Sequence, residues 1–159
     1  MTWPEPVERV TAVLRAAAAE ARVEEFPEGT PTAADAAAAI GCGLARIVKS
    51  LLFVCDGRPV LVLVPGDRRA DPHKVAAGAG AGRARVAGPE EVERATGFPP
   101  GAVAPFPLPG VELVLIEPAL LSEELVWIGA GSSRHMAGLP PSELVRLTRA
   151  RPVDIAVED

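Results

Sequence analysis

One stretch constrains this 159-residue chain more than any other: RIVKSLLFVCDGRPVLVLV, residues 46–64. Two apolar runs flank Asp56-Gly57, and Asp-Gly between such runs signals a type I′ turn, in which both central residues take positive φ. The pattern predicts strand Ile47–Cys55, a two-residue turn, then strand Pro59–Val64. The stretch is also the longest candidate for a membrane span. Lys49, Asp56 and Arg58 break it, well short of the roughly 20 apolar residues a span needs.

Around the hairpin the chain reads as alternating helix and strand without strict βαβ order. Val7, Val10, Leu14, Ala17 and Ala21 form a 3.6-period stripe, which predicts an amphipathic helix over 5–22. A short strand, Val23 to Phe26, follows. Thr32 opens a second helix, with Asp35 three residues on as a shorter capping box and Gly41 as the stop. Asp71-Pro72 reads as N-cap and first position of a third helix. Downstream, the expected elements are strand Arg83–Ala87, helix Pro89–Ala95, a Pro/Gly-rich loop from Phe98 to Gly110, and strand Val111–Ile116. A helical turn at Pro118–Leu121, strand Val126–Ala130, helix Pro141–Leu147 and strand Val153–Val157 complete the order. No internal repeat is evident. The expectation is an α+β fold, one domain over residues 1–159, with a central mixed sheet flanked by helices.

Charge narrows the function classes. The chain carries a net charge of −5, which disfavours broad binding along a nucleic-acid backbone. The charge is unevenly placed: residues 46–85 hold eight basic groups against three acids, +5, while 1–45 sum to −4 and 86–159 to −6. A local basic patch on an acidic protein is expected, although scattered surface arginines are often merely solvated. Cys42 and Cys55 are too few for a disulfide scaffold. Together with His73 and His135 they lack the spacing of a zinc site, so neither metal nor cofactor is expected. The acidic, proline-bearing start MTWPEPVERV does not read as a signal or transit peptide. A cytoplasmic protein with reduced thiols is expected.

Of 16 Lys+Arg, only Lys49 and Lys74 are lysines. By strand period, Lys49 shares a face with Ile47, Leu51 and Phe53. An ammonium there must be paired, snorkel to water, or meet an anionic ligand. Gly78-x-Gly80-x-Gly82 lacks a following Lys-Ser/Thr and is no P-loop. The run Gly129 to His135 suits either a backbone nest or a flexible turn. Gly97 to Phe106, with prolines around Gly101, suits main-chain N–H groups held in a rigid curve. No Ser/His/Asp order, HExxH or G-x-S-x-G is present.

Several segments occur in an order that resembles one family: Thr32-x-x-Asp35-Ala-Ala with Gly41, Ile47-Val48-Lys49-Ser50-Leu51, Gly66-Asp67, and Thr96-Gly97-Phe98-x-x-Gly101-x-x-x-Pro105-Phe106. Ile116-Glu117 and Ala130-Gly131 before Ser142-x-Leu144 continue it. The chain is identified from these as similar to the YbaK/prolyl-tRNA-synthetase-associated editing domain, over roughly residues 5–157. The resemblance implies a free-standing hydrolase that removes a wrong amino acid from the 3′ end of tRNA, commonly proline tRNA charged with alanine or cysteine. It implies Lys49 as the central active-site group and a loop at Gly101 that stabilises the developing oxyanion. Thr32, Ser50, Gly131 and His135 would line the substrate pocket. The implied partners are the tRNA aminoacyl end and an aminoacyl-tRNA synthetase. Glu117 replaces an aspartate of many members, Ser132-Ser133 a basic pair, Met136 an acid of the cysteine-specific members, and Thr32 a bulkier aromatic. A non-catalytic module that binds aminoacyl ends or docks on a synthetase is the competing expectation; an esterase with a side-chain nucleophile is a third.

Overall fold

The computed structural model describes residues 3–158. Among them the helices are α1 (Glu5–Ala16), α2 (Ala33–Ile40), α3 (Pro72–Ala79), α4 (Pro89–Thr96) and α5 (Pro141–Thr148). The strands are β1 (Arg22–Glu25), β2 (Val48–Cys55), β3 (Arg58–Pro65), β4 (Ala84–Val86), β5 (Leu113–Ile116), β6 (Val126–Ser132), β7 (His135–Leu139) and β8 (Arg151–Pro152). Short 3₁₀ turns occupy Leu44–Arg46 and Pro118–Ser122.

The hairpin forms as its turn dictates. Asp56 has φ +49° and Gly57 φ +84°, the two positive values that type I′ requires. The turn closes on the pair Cys55↔Arg58, which is hydrogen-bonded in a two-residue hairpin, so bonded pairs recur at 53, 51 and 49. Pro59 and Pro65 then sit opposite Val54 and Val48, at positions that owe no N–H to β2.

The hairpin lies in a five-stranded mixed sheet, order β4-β2-β3-β5-β8, with β3 parallel to β5. Leu61 to Val64 of β3 are wholly buried, as expected of a central strand covered on both faces. On one face Leu61, Leu63, Val114 and Ile116 pack with Val10 and Leu14 of α1, Leu144 of α5, and Ile128 and Leu139 of a second sheet. On the other, Phe53, Val60, Val62, Val64 and Leu115 pack with Val75 of α3 and Ile155. Each fully buried aliphatic or aromatic side chain contributes roughly 1.5–3 kcal/mol relative to exposure. The second sheet is antiparallel, order β1-β7-β6. The α+β class with a central mixed sheet stands, with this smaller sheet added.

Three local expectations shift. Helix α1 ends at Ala16, not 22, because the chain reverses through Ala18 at φ +48°. Strand β7, a segment to which the sequence pattern assigned no element, is central in its sheet, paired with β1 and β6. The last strand is Arg151–Pro152 rather than Val153–Val157. Beyond it, the N–H groups of Ile155 and Ala156 donate to the Glu117 carboxylate at 3.2 and 3.0 Å, so these donors are satisfied without a ladder.

Candidate active site

At the edge of the main sheet lies an open pocket of about 260 Å³. Its walls come from distant parts of the chain: Thr30 to Ala33 and Ala36, the β2 segment Ile47 to Leu51, the loop Gly101 to Val103, and Gly129, Ser132 and Met136. Four of the expected site residues, Lys49, Ser50, Thr32 and Gly101, are therefore brought together. Gly131 and His135 stand apart from it.

Strand β4 pairs with β2 only over Phe53 to Cys55, and the Ala87 N–H reaches the Leu52 carbonyl at 2.9 Å. The register turns the N–H and C=O of Ser50 towards that same side, where no strand pairs with them among the described residues. The Ser50 hydroxyl is also buried without a partner there. A buried donor without a partner is costly, so Ser50 offers main-chain and hydroxyl groups to a ligand.

Opposite stands the proline–glycine loop. Ala102 N–H donates to Pro99 O at 3.0 Å, closing a turn with Pro100 at its second position and Gly101, φ +83°, at its third. That is the type II pattern, in which the third residue must be left-handed. A Cβ at Gly101 would meet nothing within 4 Å, so conformation, not space, demands the glycine. The N–H groups of Gly101 and Val103 make no hydrogen bond among the described residues, which leaves them free to polarise a ligand's carbonyl.

Lys49 lies on the β2 face shared with Leu51 and Phe53, and its ammonium donates to the carbonyl of Arg68. Burial pulls its pKa below the ordinary lysine value; Asp67 opposes this and Arg69 adds to it. Thr32 caps α2: its hydroxyl accepts from Asp35 N–H at 3.0 Å and donates to the Asp35 carboxylate at 2.8 Å. Thr30, not singled out in the sequence, bonds the Ser133 carbonyl through both N–H and hydroxyl. Ala102 and Val103 were legible only as neighbours of Gly101.

The two outlying residues have other tasks. Gly131, φ +100°, lies against α1, where a Cβ would come within 2.8 Å of the Pro6 backbone. His135, 2% exposed, is 2.6 Å from Ser132 Oγ through Nδ1 and faces Glu25 at 3.5 Å. Burial holds its imidazole below the ordinary histidine value, against the pull of Glu25. Met136 packs with Ala36 and Ile47 under the pocket.

The basic segment is largely engaged. Arg46 pairs with Glu123, Lys74 with Asp154 and Glu158, and Arg85 with Glu91. Arg68 donates to Val157 O. Arg69, close enough to Lys49 to affect its titration, has no side-chain partner among the described residues and is the free cation beside the pocket. Among the described residues no three His, Cys, Asp or Glu side chains converge on a point that could hold a metal ion.

Fold and site together define a class: an α+β domain whose pocket is built on an open strand edge, a lysine strand and a proline–glycine loop, with no His, Cys, Asp or Glu among the described residues of its lining. The family follows directly, since residues 27–147 match the model of the aminoacyl-tRNA editing domain, and the chain belongs to that family. A solved structure described as a candidate trans-editing enzyme for prolyl tRNA synthetase is 34% identical, with a TM-score of 0.91, over 99% of this chain and 100% of that one. The uncharacterized protein YwhH of Bacillus subtilis is 36% identical over 123 residues, 77% of this chain and 78% of YwhH. A proline–tRNA ligase of Nitratidesulfovibrio vulgaris is 37% identical over 116 residues. This match takes in 73% of the present chain but only 20% of the ligase. No helix among the described residues is long and apolar enough to cross a membrane.

Proposed function

We propose that the protein is a trans-editing deacylase that hydrolyses the ester between a small, wrongly attached amino acid and the 3′ end of a tRNA, with alanine or cysteine on proline tRNA as the leading pairs. The carrying observation is the pocket itself. Main-chain donors at Gly101 and Val103, without a partner among the described residues, line it together with Ser50 and Lys49, in a space suited to a small acyl group. Water attacks the ester carbon while the loop N–H groups stabilise the oxyanion. With water as nucleophile, the bond from the carbonyl carbon to the ribose oxygen breaks. The ribose oxygen takes up a proton, and the amino acid leaves as its carboxylate.

Among the described residues no imidazole or carboxylate lines the pocket, which leaves positioning and electrostatics as the source of the rate. The similarity to a candidate trans-editing enzyme and to a segment of proline–tRNA ligases supports the prolyl system. The chemical need is real: a synthetase cannot reject a smaller side chain by binding alone, and a second site supplies the missing discrimination. A synthetase is the expected partner.

The competing reading is a binding module that hydrolyses nothing, and one observation favours it: the Lys49 ammonium is already held by Arg68. A panel of tRNAs charged with alanine, cysteine, serine, threonine and proline decides between them. Release of one small acyl group by wild type, and its loss in Lys49→Ala, is the expected result. Binding without release from any of them would establish the module instead.

A further inference from the structure

Glu117 is the only buried carboxylate among the described residues, 6% exposed, and it lies outside the pocket. It caps the 3₁₀ turn after β5, accepting from Ala119 N–H at 3.4 Å, and its own N–H donates to Leu63 O at 2.9 Å. The other carboxylate oxygen takes two consecutive amides of the C-terminal segment, Ile155 and Ala156. That segment in turn binds the loop after β3. Asp71 N–H donates to Ile155 O at 2.8 Å, Val157 N–H to Arg69 O at 2.7 Å, and Arg68 Nη2 to Val157 O at 3.2 Å. Lys74 closes the far side by donating to Ala156 O at 2.9 Å. The loop so held presents the Arg68 carbonyl to Lys49.

We infer that Glu117 is a positioning residue for Lys49, acting through the 155–157 backbone and the Arg68–Arg69 loop; the inference rests on Lys49 being an active-site group. One oxygen of Glu117 organises two adjacent N–H groups that have no ladder partner. Without it, the segment loses the anchor that keeps Val157 against Arg68 and Arg69, and the acceptor of Lys49 drifts.

The test uses the full chain as Glu117→Ala, Glu117→Gln, Val157→Pro and Lys49→Ala. Two readouts are taken: steady-state deacylation of alanyl proline tRNA, and acetylation of lysine amines by acetic anhydride, followed by mass spectrometry. The chain has only two lysines, so Lys49 labelling is read cleanly against the α-amino group. Glu117→Ala and Val157→Pro, which removes the N–H given to Arg69, are expected to lower kcat about 10–100-fold with KM within about twofold, the cost of a misplaced group. Both are expected to raise Lys49 labelling several-fold. Glu117→Gln keeps an oxygen for the two amides and is expected to stay near wild type in both readouts.

Wild-type kcat and wild-type Lys49 labelling in folded Glu117→Ala or Val157→Pro would overturn the inference. If Glu117→Ala fails to fold, Val157→Pro and the Glu117→Gln rescue decide. If Lys49→Ala hydrolyses as fast as wild type, or wild type releases nothing, the deacylase reading fails. Lys49 labelling in the other variants would then still judge whether Glu117 places this lysine.

Discussion

Replacing Gly101 with alanine separates the conformation of the proline–glycine loop from its packing. The added methyl would meet nothing within 4 Å, so no clash contributes. What remains is the cost of an L-residue at φ +83°, about 1–2 kcal/mol. For a chain of this size each kcal/mol moves Tm by about 2–4 °C, so a fall of about 2–8 °C is expected if the loop keeps its shape. A loop that instead relaxes to negative φ escapes that cost but turns its N–H groups away from the pocket. In that second case the free Gly101 and Val103 donors lose their alignment, and removing one oxyanion donor costs about 10²–10³ in kcat. The assay pairs differential scanning with deacylation of alanyl and cysteinyl proline tRNA. Gly131→Ala is the comparator: its methyl would meet Pro6 backbone at 2.8 Å and its φ is +100°, so its Tm should fall further. Full kcat in Gly101→Ala with no fall in Tm, or a larger Tm loss there than in Gly131→Ala, would refute the assignment of the loop.

Other outcomes follow from the same geometry. Phe98→Ala empties a fully buried site in the core between the sheets and removes the ring that Arg9 covers at 4.6 Å. It should cost about 3–5 kcal/mol in urea unfolding. His135 is held below its ordinary pKa by burial, so the unfolded chain binds its proton first as pH falls. Its contribution to stability is present above the ordinary imidazole value, about 6.5, and is lost below it. Urea midpoints on either side of that value should differ in wild type and differ less in His135→Gln. Lys49→Arg should fail to restore the activity lost in Lys49→Ala, because a planar fork cannot occupy the place of a compact ammonium; the deacylation assay reads this directly.

Much of the fold was legible because local chemistry agreed with tertiary need. Asp56-Gly57, Thr32 with Asp35, and Asp71-Pro72 each name a backbone geometry, and each adopts it. Strand β7 was not legible because its residues His135 to Leu139 are buried on both faces. It therefore shows no alternation, and Gly138 exists to admit the Trp127 ring, whose atoms would stand 3.0 Å from a Cβ. The strand expected at 153–157 failed for another reason: its apolar pattern was real, but a side chain 38 residues away in sequence took its amide.

Among the residues that line the pocket, Lys49, Ser50, Thr32 and Gly101 stood out in the sequence through residue type and order. Gly131 and His135 were drawn in by the same glycine-rich run. There the sequence could not distinguish a glycine needed by a ligand from one needed by a helix packed against it. The +5 of residues 46–85 likewise overstated the surface field, since pairing with acids outside the segment consumes part of it.

The open stretch of β2 has a consequence for how the protein keeps to itself. An unpaired strand edge invites edge-to-edge association between copies. Here the exposure is bounded: Ile47 is bridged to Trp127 at one end, and β4 covers Phe53 to Cys55 at the other. The residues between, 48 to 51, span roughly 10 Å at the usual strand rise, too short to template a foreign strand. Ser50 and Lys49 add polar groups that a strand from another copy would have to desolvate. The gap thus excludes polymer growth by its length, while leaving room for one small guest to complete the sheet.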